Sequence, residues 1–243
     1  MTDARLLYVT IDAVDAERTA AFWAALLGTE IDDWIDDGRF AFLGGREDLP
    51  VVCIQRVPEP KQGKNRIHLD LASRTNADQR ASVDRLLGSG AQHADIGQAD
   101  VSWVVLTDPE GNECCVLAPE TRFDEPGTLS AIVLDAVDPG RLARFWAQAS
   151  GWQIRAESHL VATLCHPTGR PPALDIVAVP DPTPGKNRVH LDVAPGVDED
   201  QRAEVDRLIG AGARRADVGQ GDDVTWVVLA DPEGNEFCVL SPR

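Results

Sequence analysis

Lysine is scarce in this chain: Lys61, Lys64 and Lys186 are the only three in 243 residues. Lys and Arg together number 23 against 40 Asp and Glu, which leaves a formal net charge of −17. No Lys/Arg cluster supplies the basic patch that a nucleic-acid surface needs, so nucleic acid is not an expected partner. The same charge would be repelled by an anionic membrane surface. Long apolar runs are missing too. No stretch reaches the roughly 18 residues that a membrane span requires. The opening "MTDARLLYVTID" lacks a basic start followed by an apolar run, so no secretion signal is expected. Cysteine is sparse and odd in number: Cys53, Cys114, Cys115, Cys165 and Cys238, with no C-x-x-C pair. Neither a disulfide framework nor a structural zinc cluster is expected. Free thiols point to a reducing, cytoplasmic setting. Hydrophobic residues still make up 43% of the chain, enough to bury a sizeable core.

What the chain does have is a repeat. "GKNRIHLDL" (Gly63 to Leu71) recurs as "GKNRVHLDV" (Gly185 to Val193), identical at seven of nine positions. "WVVLTDPEGNECCVLAP" from Trp103 recurs as "WVVLADPEGNEFCVLSP" from Trp226, identical at 14 of 17. "DQRASVDRLLGSGA" from Asp78 and "FWAALLG" from Phe22 also have copies, all at an offset of 122 or 123. One unit was therefore duplicated whole. The expected organisation is a first domain over residues 1–120, a polar Pro/Gly-containing linker over 121–129 and a second domain over 130–243.

A fainter repeat lies inside each half. "LLYVTIDAVD" alternates like a strand, and "AERTAAFWAALLG" reads as a helix with Asp15 at its N-cap and Gly28 just past its end. "NRIHLDLA" is again a strand and "ADQRASVDRLLGSG" again a helix, with Val83, Leu86 and Leu87 on its apolar face. Short alternating segments follow each helix. "DPEG" has Asp, Pro and Gly where a type I turn wants them, which makes it a structural connector. "GKNR" turns the chain into a strand, with Lys64 and Lys186 either solvated or touching an anionic ligand. Trp23 and Trp146 on the "FW" helices read as core. Trp103 and Trp226 read as core or as flat apolar walls for a ligand.

Strand, helix and strands written four times, "FW" on the first helix, "GKNR-HLDL" and "DPEGNE-CVL" together resemble the vicinal oxygen chelate superfamily, and within it the glyoxalase-like domains. The resemblance spans both halves. It implies an α+β fold of two tandem glyoxalase-like domains, each a pair of βαβββ units forming a cup-shaped curved sheet. The halves could each close their own cup, or units could pair across the linker. The resemblance also implies a metal in the cup, held by one residue from the first and last strand of each unit, with His and Glu in glyoxalase-type enzymes.

Carried onto this chain, the first-strand position falls seven residues before the helix-starting Asp, at Tyr8 and at its copy Ala131. The next positions are Gln55 and Val177, then His68 and His190. The last falls seven residues after the Asp of the turn, at Cys115 and Cys238, with Glu113 and Glu236 two residues earlier on the same face. Hard cations want carboxylates and zinc wants three or four Cys, His or carboxylate ligands. Neither set meets that demand, so no resident metal and no other cofactor is expected. The expected substrate-binding residues are Tyr8, Gln55, His68, Trp103, Glu113, Cys115 and His190, and His68 is the candidate general acid or base. Two plainer readings stand beside it: His68 hydrogen-bonded to Asp70 with no further role, and Cys115 as a small buried hydrophobe. The first half keeps more polar positions and is the expected working site. The expected function is a small-molecule protein, either a metal-independent enzyme such as a lyase or isomerase or a sequestering protein of the antibiotic-resistance kind. The alternative is a metal-dependent lyase, isomerase or dioxygenase. The chain is expected as a monomer or homodimer.

Overall fold

The computed structural model describes residues 5–44, 50–98, 100–119, 129–183, 185–221 and 224–243. Up to residue 128, the expected linker lies outside them. The first βαβββ unit is β1 (Arg5–Ala13), α1 (Ala16–Leu27), β2 (Ile31–Ile35), β3 (Phe40–Leu43) and β4 (Val51–Arg56). The second is β5 (Ile67–Leu71), α2 (Asn76–Gly88), β6 (Gln92–His93), β7 (Val104–Thr107) and β8 (Glu113–Val116). The third is β9 (Leu129–Ala136), α3 (Pro139–Ser150), β10 (Gln153–Glu157), β11 (Val161–Cys165) and β12 (Ala173–Ala178). The fourth is β13 (Val189–Ala194), α4 (Gln201–Gly210), β14 (Arg214–Arg215), β15 (Val227–Ala230) and β16 (Glu236–Val239).

Local chemistry explains these elements. Asp15 caps α1 by accepting from the Arg18 N–H, and Gly28 ends it at φ 64°, a left-handed conformation that favours glycine. Thr75 and Asp78 close a reciprocal capping box on α2. Val83 and Leu86 are buried on that helix, and Leu87 packs at the edge of the core. The indoles of Trp23 and Trp146 are fully buried, and each donates to the Asp of a DPEG turn: Trp23 Nε1 to Asp108 Oδ2 at 3.0 Å and Trp146 Nε1 to Asp231 Oδ2 at 3.1 Å. Asp108 also accepts from the backbone N–H groups of Glu110 and Asn112. The turns are thus structural, as expected, and they pin the helices to the sheets.

The units pair across the halves. One eight-stranded sheet runs β14-β15-β16-β13-β1-β4-β3-β2 and the other β10-β11-β12-β9-β5-β8-β7-β6. At the centre of the first, β1 lies antiparallel to β13, with Val9 opposite Leu191 and Thr10 opposite His190. At the centre of the second, β5 lies antiparallel to β9, with His68 opposite Val133. Strand alternation sends Val9, Ile11, Ile67, Leu69, Leu71, Val189, Leu191 and Val193 into one shared core beneath the helices. The opposite faces line two cups. Each cup takes one unit from each half, so the first half by itself holds neither site.

Candidate functional site

The cross-pairing redistributes the expected positions. The first cup receives Tyr8 and Gln55 from the first half with His190 and Cys238 from the second. The second cup receives His68 and Cys115 from the first half with Ala131 and Val177 from the second. Tyr8 and Gln55 therefore do not converge with His68, Glu113 or Cys115, and the expectation of one working half beside one structural half is corrected. The near-identity of β5 and β13 hid this: either strand offers β1 the same alternation of apolar and polar faces.

A cavity of about 280 Å³ opens in the first cup, with an adjoining lobe of about 150 Å³. Gln55, His190, Trp226 and Cys238 line both. Phe40 stands edge-on to Trp226, their centroids 5.9 Å apart, and Tyr8 tilts against Phe42 at 5.0 Å. These rings give the cavity apolar walls. Trp226 therefore takes the wall role, while its counterpart in the other cup, Trp103, is 40% exposed.

The polar floor is built around Asp192, which is not among the expected site residues. Asp192 is buried two positions beyond His190; its Oδ2 accepts from Thr10 Oγ1 at 2.6 Å, and its Oδ1 lies 3.4 Å from His190 Nε2. Burial pushes the Asp192 carboxyl up from the ordinary carboxylate range, against the pull of His190, Thr10 and Cys238. The Cys238 thiol, hydrogen-bonded to that carboxylate, is raised well above an ordinary thiol by burial and by Asp192. The signal for Asp192 was present in the sequence as His-x-Asp, written in both copies with period-two spacing.

The second cup repeats the arrangement. His68 Nε2 lies 3.4 Å from Asp70 Oδ1. Burial, and then the nearby Lys64 ammonium, lower His68 from 6.5 to about 4, so its ring is neutral at neutral pH. Burial followed by Asp70 raises the Cys115 thiol. That direction is opposite to what a nucleophile needs. Glu113 is tied down by Lys61 at 2.9 Å and by the Asn65 N–H at 3.2 Å. The counterpart Glu236 lines the first cavity and accepts from the Asn187 N–H at 3.2 Å.

The lysines of "GKNR" have a third role: partly exposed, each is paired with a buried carboxylate. Lys186 Nζ lies 2.9 Å from Asp12 Oδ2 and 2.8 Å from Glu59 Oε1, and Lys64 Nζ lies 2.6 Å from Asp135 Oδ2. Each joins a strand entry in one half to the first strand of the other.

The family metal is a poor match for the four strand positions of either cup. Ala131 and Val177 carry no donor, and Tyr8, Gln55, His190 and Cys238 include no carboxylate for a hard cation. Two residues along the strand from each histidine, on the same face, an Asp changes the donor chemistry. His190, Asp192 and Cys238 place one ligand atom each within 4.8 Å of one another, as do His68, Asp70 and Cys115. These two trios suit a soft cation of the zinc class.

The chain is thus an α+β protein whose paired βαβββ units, one from each half, form two curved eight-stranded sheets. The profile of the Glyoxalase-like domain matches residues 8–117 and again 131–240, and the chain belongs to that family. A search of curated proteins returns no match. Among solved structures, glyoxalase I from Zea mays is 16% identical, with a TM-score of 0.70 over 98% of this chain and 92% of that one. A putative dioxygenase from Bacillus subtilis is 13% identical, with a TM-score of 0.64 over 98% of this chain and 84% of that one. At such identity these likenesses concern the fold. Among the described residues no helix is long and apolar enough to cross a membrane.

Proposed function

We propose that the chain binds a small organic molecule in the first cup and handles it without a resident metal ion. The observation that carries this reading is the 280 Å³ cavity, lined by Trp226 together with Gln55 and His190. Its size is near the low end of the roughly 300–1,000 Å³ typical of small-molecule sites, which fits a ligand of one or two rings. Gln55 offers an amide donor and acceptor. His190, with Asp192 at its ring nitrogen, is suited to exchange a proton with the ligand. The same geometry serves a metal-independent lyase or isomerase and a protein that sequesters its ligand. Both cups sit within one chain, so a monomer is self-sufficient. The free cysteines fit a reducing cytoplasm.

Tryptophan fluorescence titrated against a panel of one- and two-ring organic molecules tests the proposal. Binding is expected to weaken about tenfold on Gln55→Ala or His190→Ala. Unchanged affinity in both variants would refute it. Product analysis after prolonged incubation separates turnover from sequestration.

One observation favours a second reading, in which the chemistry is metal-dependent: the His190, Asp192 and Cys238 trio. Those residues would hold the ion, and it would supply Lewis-acid polarisation of a ligand oxygen. Cys238 would have to give up its proton. A stoichiometric divalent ion that survives desalting and is lost in Cys238→Ala would favour this reading over the first.

A further inference from the structure

Among the described residues three cationic side chains line the larger cavity of the first cup: Arg39, Arg56 and Lys186. Two are already neutralised. Arg56 is bonded to Glu17, and Lys186 lies between Asp12 and Glu59. Arg39 is different. Among the described residues its nearest carboxylate is Asp36, at 3.7 Å, on a side chain 60% exposed. That separation is too long for a hydrogen bond, unlike the 2.5 Å contact of Arg56 with Glu17.

The guanidinium of Arg39 is nevertheless held in place. Its carbon stands 5.2 Å from the Phe40 ring centroid and 5.6 Å from that of Trp226. A guanidinium over aromatic faces keeps its N–H edge free for a planar acceptor. The backbone below it is fixed as well. Arg39 N donates to the Ile35 and Asp36 carbonyls, and the Arg39 carbonyl accepts from Arg56 N at 2.8 Å. The turn leading into it runs through three consecutive positive φ angles, at Asp36, Asp37 and Gly38. Two non-glycine residues there are unusual, and the fold bears the strain.

The second cup lacks this device. In the strand register, Val161 is to Val177 what Phe40 is to Gln55. Leu160, 59% exposed, therefore stands in place of Arg39, with Val161 in place of Phe40. An arginine that only solvated the rim would have no reason to sit on an aromatic pair made by both halves in one cup alone. The smaller lobe has a cation of its own, Arg243, but its guanidinium donates to the Ser241 carbonyl and to the Tyr8 hydroxyl. On the far wing of the sheet Glu236 lines the cavity, and it disfavours an anion at that end.

Resting on the proposed small-molecule site, we propose that its ligand is a flat, ring-bearing carboxylate, and that Arg39 receives the carboxylate while the ring lies against Trp226. The guanidinium fork matches a carboxylate in two parallel N–H···O bonds. The ligand thus enters with its apolar body inward and its charge at the mouth.

The test compares 1-naphthoate with 1-naphthamide, which is neutral and of the same shape, by fluorescence and calorimetric titration of the whole chain. Wild type is expected to bind the carboxylate about tenfold or more tightly than the amide. Arg39→Met should erase that preference, and Arg39→Lys should restore part of it. Leu160→Ala, in the other cup, should change neither. Equal binding of the two probes by wild type, or a preference that survives Arg39→Met, overturns the carboxylate assignment and leaves the cavity reading intact. Failure of both probes to bind overturns both. Circular dichroism of the Arg39 variants, altered at a surface position, confirms that each is folded.

Discussion

Lys186→Met isolates the interaction that joins the two halves at the first cup. Asp12 is 1% exposed, and neither of its carboxylate oxygens makes a hydrogen bond of good geometry. The Lys186 ammonium at 2.9 Å is the cation that compensates it. Removing that cation leaves a carboxylate in the interior with nothing to balance it. Breaking a buried pair from one side costs about 3–5 kcal/mol. Here the lysine side chain is 35% exposed, so water reaches part of the gap, and about 2–3 kcal/mol is the expected loss. The assay is urea denaturation followed by tryptophan fluorescence, read as a shift of midpoint at constant slope. The double variant Lys186→Met/Asp12→Asn should recover most of the loss, because the charge that needed a partner is gone. The reasoning fails if Lys186→Met lies within about 0.5 kcal/mol of wild type, or if the double variant is no more stable than the single one. The raised Lys186 pKa fixes the pH sense. The pair contributes fully below the ordinary lysine value of 10.5, and its contribution is lost as pH rises through the higher folded-state value.

Trp23→Phe should cost about 1–3 kcal/mol, since it strips a donor from the buried Asp108 carboxylate, and urea midpoints would show it. Acid should act through His68, which is lowered from 6.5 unfolded to about 4 folded. The unfolded chain takes up the proton first, so stability falls as pH drops from about 6.5 toward 4, by on the order of 3 kcal/mol. His68→Gln should flatten that limb of a stability–pH profile, and an unchanged profile would count against the burial argument. A fragment of residues 1–119 lacks both β13 and β9; its circular dichroism and cooperativity should be those of a poorly folded or self-associated chain, and mixing it with residues 129–243 should restore cooperative unfolding.

Much of the fold was legible because period and punctuation agreed. Asp15, Gly28 and the DPEG turns sit where their backbone chemistry demands, and the duplicated "FW" and "GKNR-HLDL" segments name the family. Strand pairing was not legible. The apolar face of β1 is matched equally by Ile67, Leu69 and Leu71 or by Val189, Leu191 and Val193, so the alternation within the strands does not choose between them. The site inherited that ambiguity, so Tyr8 and Gln55 were grouped with His68 and Cys115. Asp192 was visible as His-x-Asp, whereas its burial against Thr10 came only from the antiparallel register. Arg39 left no mark at all, since its role depends on Trp226, which lies far along the chain.

The contact of Phe40 and Arg39 with Trp226 joins opposite wings of one sheet, each contributed by a different copy of the ancestral gene segment. A substitution in one copy therefore reshapes a cavity whose other wall is encoded 180-odd residues away. The structural unit is then the cup rather than the repeat, and the two cups, each built from both copies, differ in the residues that line them.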